Sequence, residues 1–151
     1  MNKRQIMLAV NGRDHEVWVQ PSQTLLDVLH DELGLSDVRY GCGEGLCGTC
    51  TVLLDGEPVC ACLVPAAQAE GRVVVTVEGL EFGAVQRAFI DAGAVQCGFC
   101  TPGLIVAVHD LINETAALDD QDIREALAGN LCRCTGYEKI IEAVRLAMER
   151  R

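Results

Sequence analysis

Aromatic side chains are scarce in this chain: one Trp, two Tyr and three Phe stand among 151 residues. A core built on large rings is therefore excluded, although half of the residues are apolar. Small aliphatic side chains must share that work with something inorganic. Basic residues are also short. Twelve Lys and Arg face 22 Asp and Glu, for a formal net charge of −10. That balance argues against nucleic acid and against an anionic membrane surface as partners. No apolar run approaches the ~18 residues of a membrane span. The opening MNKRQIMLAVNGRDHEV has neither a long apolar stretch nor a small-residue cleavage site, so no secretory leader is expected. A P-loop and an evident nucleophile–base pair are missing too, and no catalytic residue is assigned.

Cysteine, by contrast, is abundant, at nine residues. In a small secreted protein that count would imply disulfides. Here the cysteines fall in tight groups, which suits metal ligation better than tying distant loops together. A reduced, cytoplasmic setting is the expectation.

The first group lies in Tyr40–Thr51, YGCGEGLCGTCT. Cys42, Cys47 and Cys50 make a C-x4-C-x2-C array, the plant-type ferredoxin spacing for a 2Fe-2S cluster, which needs a fourth thiolate from downstream. Gly41, Gly43, Gly45 and Gly48 are interleaved. They let a tight loop bring backbone N–H groups to the sulfurs, where they soften the cluster's negative charge. Cys60 and Cys62 are both candidates for the fourth ligand, and spacing does not choose between them. Two residues apart in extended chain, they would face the same way. The plain alternative for either is a buried small hydrophobe.

The second group is split. Gln96-Cys97-Gly98-Phe99-Cys100-Thr101-Pro102 supplies C-x2-C, and Asn130-Leu131-Cys132-Arg133-Cys134-Thr135-Gly136-Tyr137 supplies C-x-C. Each precedes an expected helix, whose N-terminus lowers thiol pKa and favours a negative cluster. A structural zinc also takes four cysteines, but zinc sites usually pair two C-x2-C knuckles. Iron–sulfur is favoured and zinc stays open.

The surrounding pattern divides the chain. Alternating apolar residues at 4–10 and 15–19 with Asn11-Gly12 between them predict a hairpin. A helix is expected from Thr24 to Leu33, closed by Gly34. A second hairpin turns at Asp55-Gly56, and Arg72–Val77 reads as a last strand. Helical patterns follow from Glu78-Gly79 onward. Val85, Ala88 and Phe89 mark one helix. Thr101 caps a second, with Pro102 at its first position and Ile105, Val108, Leu111 and Ile112 on one face. Asp119 or Asp120 caps a third that carries Ile123 and Leu127 and ends at Gly129. Tyr137, Ile140, Ile141, Val144 and Met148 stripe a fourth. The fold class is α+β, a ferredoxin-type domain followed by a small helix bundle. His15, His30 and His109 are scattered, and His109 reads as an ordinary helix residue.

Taken in order, GCGEGLCGTC, QCGFCTPG and NLCRCTGY resemble the iron–sulfur small subunit of the molybdenum hydroxylases, the xanthine dehydrogenase and aldehyde oxidase family. The resemblance covers nearly the full length. It implies a plant-type ferredoxin-like (β-grasp) domain over residues 1–78 and an all-α four-helix domain over 79–151, each with one 2Fe-2S cluster. It implies Cys62 as the fourth ligand of the first cluster, and Cys97, Cys100, Cys132 and Cys134 around the second. Cys60 departs from the family pattern. Gln96 and Cys134 are expected to hydrogen-bond a molybdopterin; the plain alternative for Gln96 is a residue bonding its own backbone. The implied role is electron transfer in a heteromeric oxidoreductase, with no substrate site in this chain. The implied partners are a large subunit with a molybdopterin dinucleotide and a medium subunit with FAD, in a dimer of heterotrimers. Two other readings stand beside it. One is a free-standing soluble 2Fe-2S ferredoxin carrier, which the first motif alone permits. The other is a zinc-stabilised interaction module.

Overall fold

The two dipeptides Asn11-Gly12 and Asp55-Gly56 set the sheet. All four residues have positive φ, as a two-residue hairpin turn of type I′ requires. They join β1 (Arg4–Val10) to β2 (Arg13–Val19) and β3 (Thr51–Leu54) to β4 (Glu57–Cys60). A computed structural model describes residues 3–115 and 117–151 of the chain; the first two residues of the expected N-terminal domain and Ala116 lie outside them. β5 (Val73–Val75) completes a five-stranded sheet in the order β2-β1-β5-β3-β4, with β1 and β5 parallel and the other pairs antiparallel.

One sheet face is buried. Ile6, Leu8 and Val10 alternate inward, and the register sets Ile6 opposite Val17. Leu25, Leu26, Val28 and Leu29 cover that face and are fully buried. Each such side chain contributes about 1.5–3 kcal/mol by leaving water. The covering segment starts as expected, with Thr24 and Asp27 in a reciprocal capping box. It then departs from expectation. Only Leu25–Asp27 is α-helical (α1), and Val28–Glu32 is a π turn in which the Leu33 N–H reaches the Val28 carbonyl at 3.0 Å. The wider turn brings Leu33 and Leu35 back onto the core, a tertiary gain that overrides α geometry.

The last strand is also shorter than the expected Arg72–Val77. Thr76 is taken out of the sheet by Asn11, which accepts from its N–H at 2.9 Å and donates to its hydroxyl at 3.0 Å. A 3-10 turn over Val77–Gly79 follows, its Glu78 N–H held by the buried Asp37 carboxylate at 3.3 Å.

Four helices come next: α2 (Ala84–Asp91), α3 (Thr101–Glu114), α4 (Asp120–Ala126) and α5 (Glu138–Glu149). They bury Phe89, Leu104, Val108, Ile123, Leu127, Ile140 and Val144 in a core of their own. Asp119 is the cap of α4, in a capping box with Asp122. Thr101 is not the cap of α3. Cys100 holds that position and Pro102 is the second helical residue, because the Thr101 N–H is already turned onto the Gly98 carbonyl. His109 sits on α3 beside Asn113, 3.4 Å away. No helix among the described residues is long and apolar enough to cross a membrane.

Candidate metal centres

The loop between α1 and β3 has no regular structure from Tyr40 to Cys50. Its backbone folds over its own sulfurs. The N–H groups of Glu44 and Leu46 both donate to Cys42 Sγ at 3.3 Å, and the Cys42 N–H donates to Cys47 Sγ at 3.4 Å. The two donors pull the exposed Cys42 thiol down to about 7. Gly43, Gly45 and Gly48 supply the positive φ expected of them, whereas Gly41 is needed for space: a Cβ there would lie 2.6 Å from Cys47 Sγ. The run Gly43-Glu44-Gly45-Leu46-Cys47-Gly48 has the letter spacing of a dinucleotide fingerprint. It opens no helix, which that motif requires, so the spacing is incidental.

Cys50 and Cys62 meet in the core beneath the loop, both buried. Burial first, then the adjoining Cys62 thiol, pushes Cys50 up to about 12, while the Cys62 N–H works the other way. Cys60 and Cys62 are not alternate positions of one extended strand. The chain leaves β4 at Cys60 and tightens into a 3-10 turn over Ala61–Leu63, so a two-residue period no longer applies. Cys60 is half-buried, with Sγ 3.8 Å from the Gly45 carbonyl.

The second set gathers between the α2–α3 and α4–α5 connections. Cys134 Sγ lies 3.5 Å from Cys97 Sγ, both exposed, and Cys100 shares a hydrogen bond with Cys132. The Thr135 hydroxyl donates to Cys132 Sγ at 3.1 Å and helps lower that thiol against the opposing effect of burial. The expected help from helix N-termini is only partly realised. Cys100 caps α3, yet burial pushes it up to about 12. α5 starts too far along to cap Cys134: Tyr137, with φ 69°, occupies its N-cap. Gln96 is exposed and, among the described residues, its side chain bonds neither its own backbone nor another group.

Tyr137 belongs to the expected core stripe of α5. Its ring is partly buried there, but its hydroxyl also bridges the second loop, accepting from the Cys132 N–H and donating to the Asn130 carbonyl, each at 2.8 Å. Tyr137→Phe is expected to leave both groups short of a partner. That costs about 1–3 kcal/mol, read as a lower midpoint in denaturant, and should broaden the EPR signal of the second centre alone.

The expected ligands of both sets therefore lie in two sulfur pairs, Cys42 with Cys47 and Cys50 with Cys62, then Cys97 with Cys134 and Cys100 with Cys132, and Cys60 also bonds Cys50. Among the described residues, no three His, Cys, Asp or Glu side chains converge on a single ion. A two-iron cluster takes four thiolates, two on each iron, and the paired sulfurs fit it.

Residues 8–76 match the family model described as 2Fe-2S iron-sulfur cluster binding domain, and residues 76–145 match that described as 2Fe-2S binding domain. The nicotinate dehydrogenase small FeS subunit of Eubacterium barkeri is 46% identical, over 99% of this chain and 98% of its own. The chain belongs to the iron–sulfur small subunits of the molybdenum hydroxylase family. A second family member, the xanthine dehydrogenase iron-sulfur-binding subunit of Escherichia coli O157:H7, is 44% identical over 92% of this chain and 91% of that protein. The crystal structure of quinoline 2-oxidoreductase from Pseudomonas putida 86 superposes with a TM-score of 0.92 at 40% identity, covering 97% of this chain and 94% of the matched one. As a small subunit of this family, the protein is the iron–sulfur component of an oxidoreductase and has two 2Fe-2S sites.

Proposed function

We propose that the protein is the electron-transfer subunit of a cytoplasmic molybdenum hydroxylase, relaying electrons from the molybdopterin centre of a large subunit to FAD on a medium subunit. Residues 1–78 form the ferredoxin-like domain and residues 79–151 the helical one. Cys42, Cys47, Cys50 and Cys62 hold the first 2Fe-2S cluster; Cys97, Cys100, Cys132 and Cys134 hold the second. Cys60 is not a ligand. The assembly is a dimer of heterotrimers, and this chain has no substrate site of its own. Each cluster, when bound, supplies a one-electron centre.

The chain's own residues hold, space and shield the two sites. N–H donors on Cys42 and Cys47 and the Thr135 hydroxyl on Cys132 stabilise charge on the sulfurs. The observation that carries the reading is the seam between the sets. The Leu131 N–H donates to the Cys47 carbonyl at 2.8 Å, so one hydrogen bond joins a ligand residue of the first set to the neighbour of a ligand in the second. A free-standing carrier has no need of a second sulfur set stitched to the first, and this counts against that alternative. The exposure of Gln96 and Cys134 supports their assignment to the pterin. Exposed Val95, Phe99 and Leu131 adjoin the same set and fit burial against the large subunit.

Iron and acid-labile sulfide analysis tests the proposal. About four irons per chain, with molybdenum and flavin subunits co-purifying, are expected. Zinc without sulfide ends the reading, and a loaded chain that always elutes alone restores the carrier. Cys134→Ser should disturb the second EPR signal and largely spare the plant-type one, with Cys47→Ser doing the reverse.

A further inference from the structure

Ligation by the thiols does not explain Asn130. It is neither a ligand nor exposed, at 8% of its surface. Its Nδ2 points at three acceptors: the Gly48 carbonyl at 3.0 Å, the Thr51 hydroxyl at 3.2 Å and the Gly103 carbonyl at 3.4 Å. Gly48 lies between Cys47 and Cys50, and Thr51 follows Cys50. Gly103 is in the first turn of α3, three residues after Cys100. Asn130 itself stands two residues before Cys132. One carboxamide thus touches both arms of the second sulfur set and the loop of the first. An amide nitrogen has two hydrogens for those three acceptors, so the bonds are shared and the geometry is tight on every side.

The rest of the residue is anchored as well. The Asn130 N–H donates to the Leu127 carbonyl at 2.9 Å, and its own carbonyl accepts from Tyr137 at 2.8 Å. The side chain therefore cannot swing to follow one loop without leaving the other two. Two more contacts close the same seam. Thr49 donates to the Phe99 carbonyl at 3.1 Å, and Arg39 donates to the Gly98 carbonyl at 2.6 Å. Both reach only the Cys97–Cys100 arm of the second set. Asn130 alone among these side chains spans all three segments.

We infer that Asn130 is a positioning residue that sets the separation and coupling of the two iron–sulfur centres, a claim that rests on the electron-relay reading. Tunnelling rate falls steeply with distance, and the magnetic coupling of two reduced centres falls with the cube of their separation. A small relaxation of the loops should therefore appear in both while each centre stays loaded.

The test uses the assembled complex reduced with dithionite. Wild type should give two EPR signals that split each other at low temperature. Asn130→Ala should retain both signals and the full iron content, with that splitting reduced and transfer between the centres slowed several-fold. Thr51→Val removes one acceptor and should shift the splitting the same way by less, so the idea remains testable if Asn130→Ala does not fold. Unchanged splitting in a fully loaded Asn130→Ala or Thr51→Val complex overturns the inference alone. So does a wild-type spectrum with two centres and no mutual splitting. A wild type with fewer than two centres overturns the relay reading itself.

Discussion

Gly103→Val is expected to be the most damaging single change away from the cysteines, costing about 3 kcal/mol or more. Helix propensity argues the other way, since glycine inside a helix is about 0.5–1 kcal/mol worse than alanine. Space decides the sign. A Cβ at position 103 would lie 2.4 Å from the Gly48 carbonyl oxygen and 3.1 Å from that of Thr49. Both are backbone atoms of the first sulfur loop, so nothing flexible can give way. Position 48 is constrained from the same side, since its Cβ would meet the Gly129 carbonyl at 2.3 Å. The seam therefore has to open, and the Asn130 bonds open with it. Thermal unfolding checks the prediction. Gly129→Ala is the control, because its Cβ meets nothing within 4 Å and should shift the midpoint little. Equal midpoints for Gly103→Val and wild type would show that the loops are not pressed together.

Cys62→Ala carries the second large effect. Iron content is expected to fall from about four to about two per chain, with loss of the plant-type EPR signal and survival of the other. The reason is local. Cys62 is 7% exposed and pairs with the buried Cys50 in the same core as Leu25, Ala61 and Val52. Losing the cluster would leave Cys50, a proposed ligand, without iron in an apolar setting, and the ferredoxin-like unit should lose stability with it. Cys60→Ala is the contrasting variant. Its sulfur approaches the Gly45 carbonyl at 3.8 Å from the end of β4 and also shares a hydrogen bond with Cys50, but it is a proposed non-ligand, so its loss should leave both signals in place. Loss of a signal in Cys60→Ala with full loading of Cys62→Ala would reverse the ligand choice.

The two variants also show where reading residues in a row reaches its limit. Cys60 and Cys62 are equivalent by spacing, and in the sequence only the resemblance to a family separates them. In the structure the 3-10 turn at Ala61–Leu63 buries Cys62 more deeply than the half-buried Cys60 at the strand end, yet both bond Cys50. The covering helix behaves in a similar way. Its Thr24–Asp27 cap is readable, because capping involves neighbours three residues apart. Its π turn is not, because the benefit comes from Leu33 and Leu35 packing on a sheet formed by distant strands.

Sequence alone determined the parts that act over a few residues. The two hairpins follow from Asn11-Gly12 and Asp55-Gly56, whose positive φ values need no tertiary help. The Cys42–Cys50 loop follows from its ligand spacing, and the helices from their apolar stripes and the Asp119 cap. Tertiary structure alone decided how the sulfurs pair and how the two sets are held together. Asn130 reaches Gly48 across 82 residues, and a polar side chain bonding distant carbonyls leaves no period, spacing or composition by which to find it. The physical reason is range: turn chemistry and cysteine spacing are written into adjacent residues, whereas a seam exists only where backbone segments from two hydrophobic cores have been brought into contact.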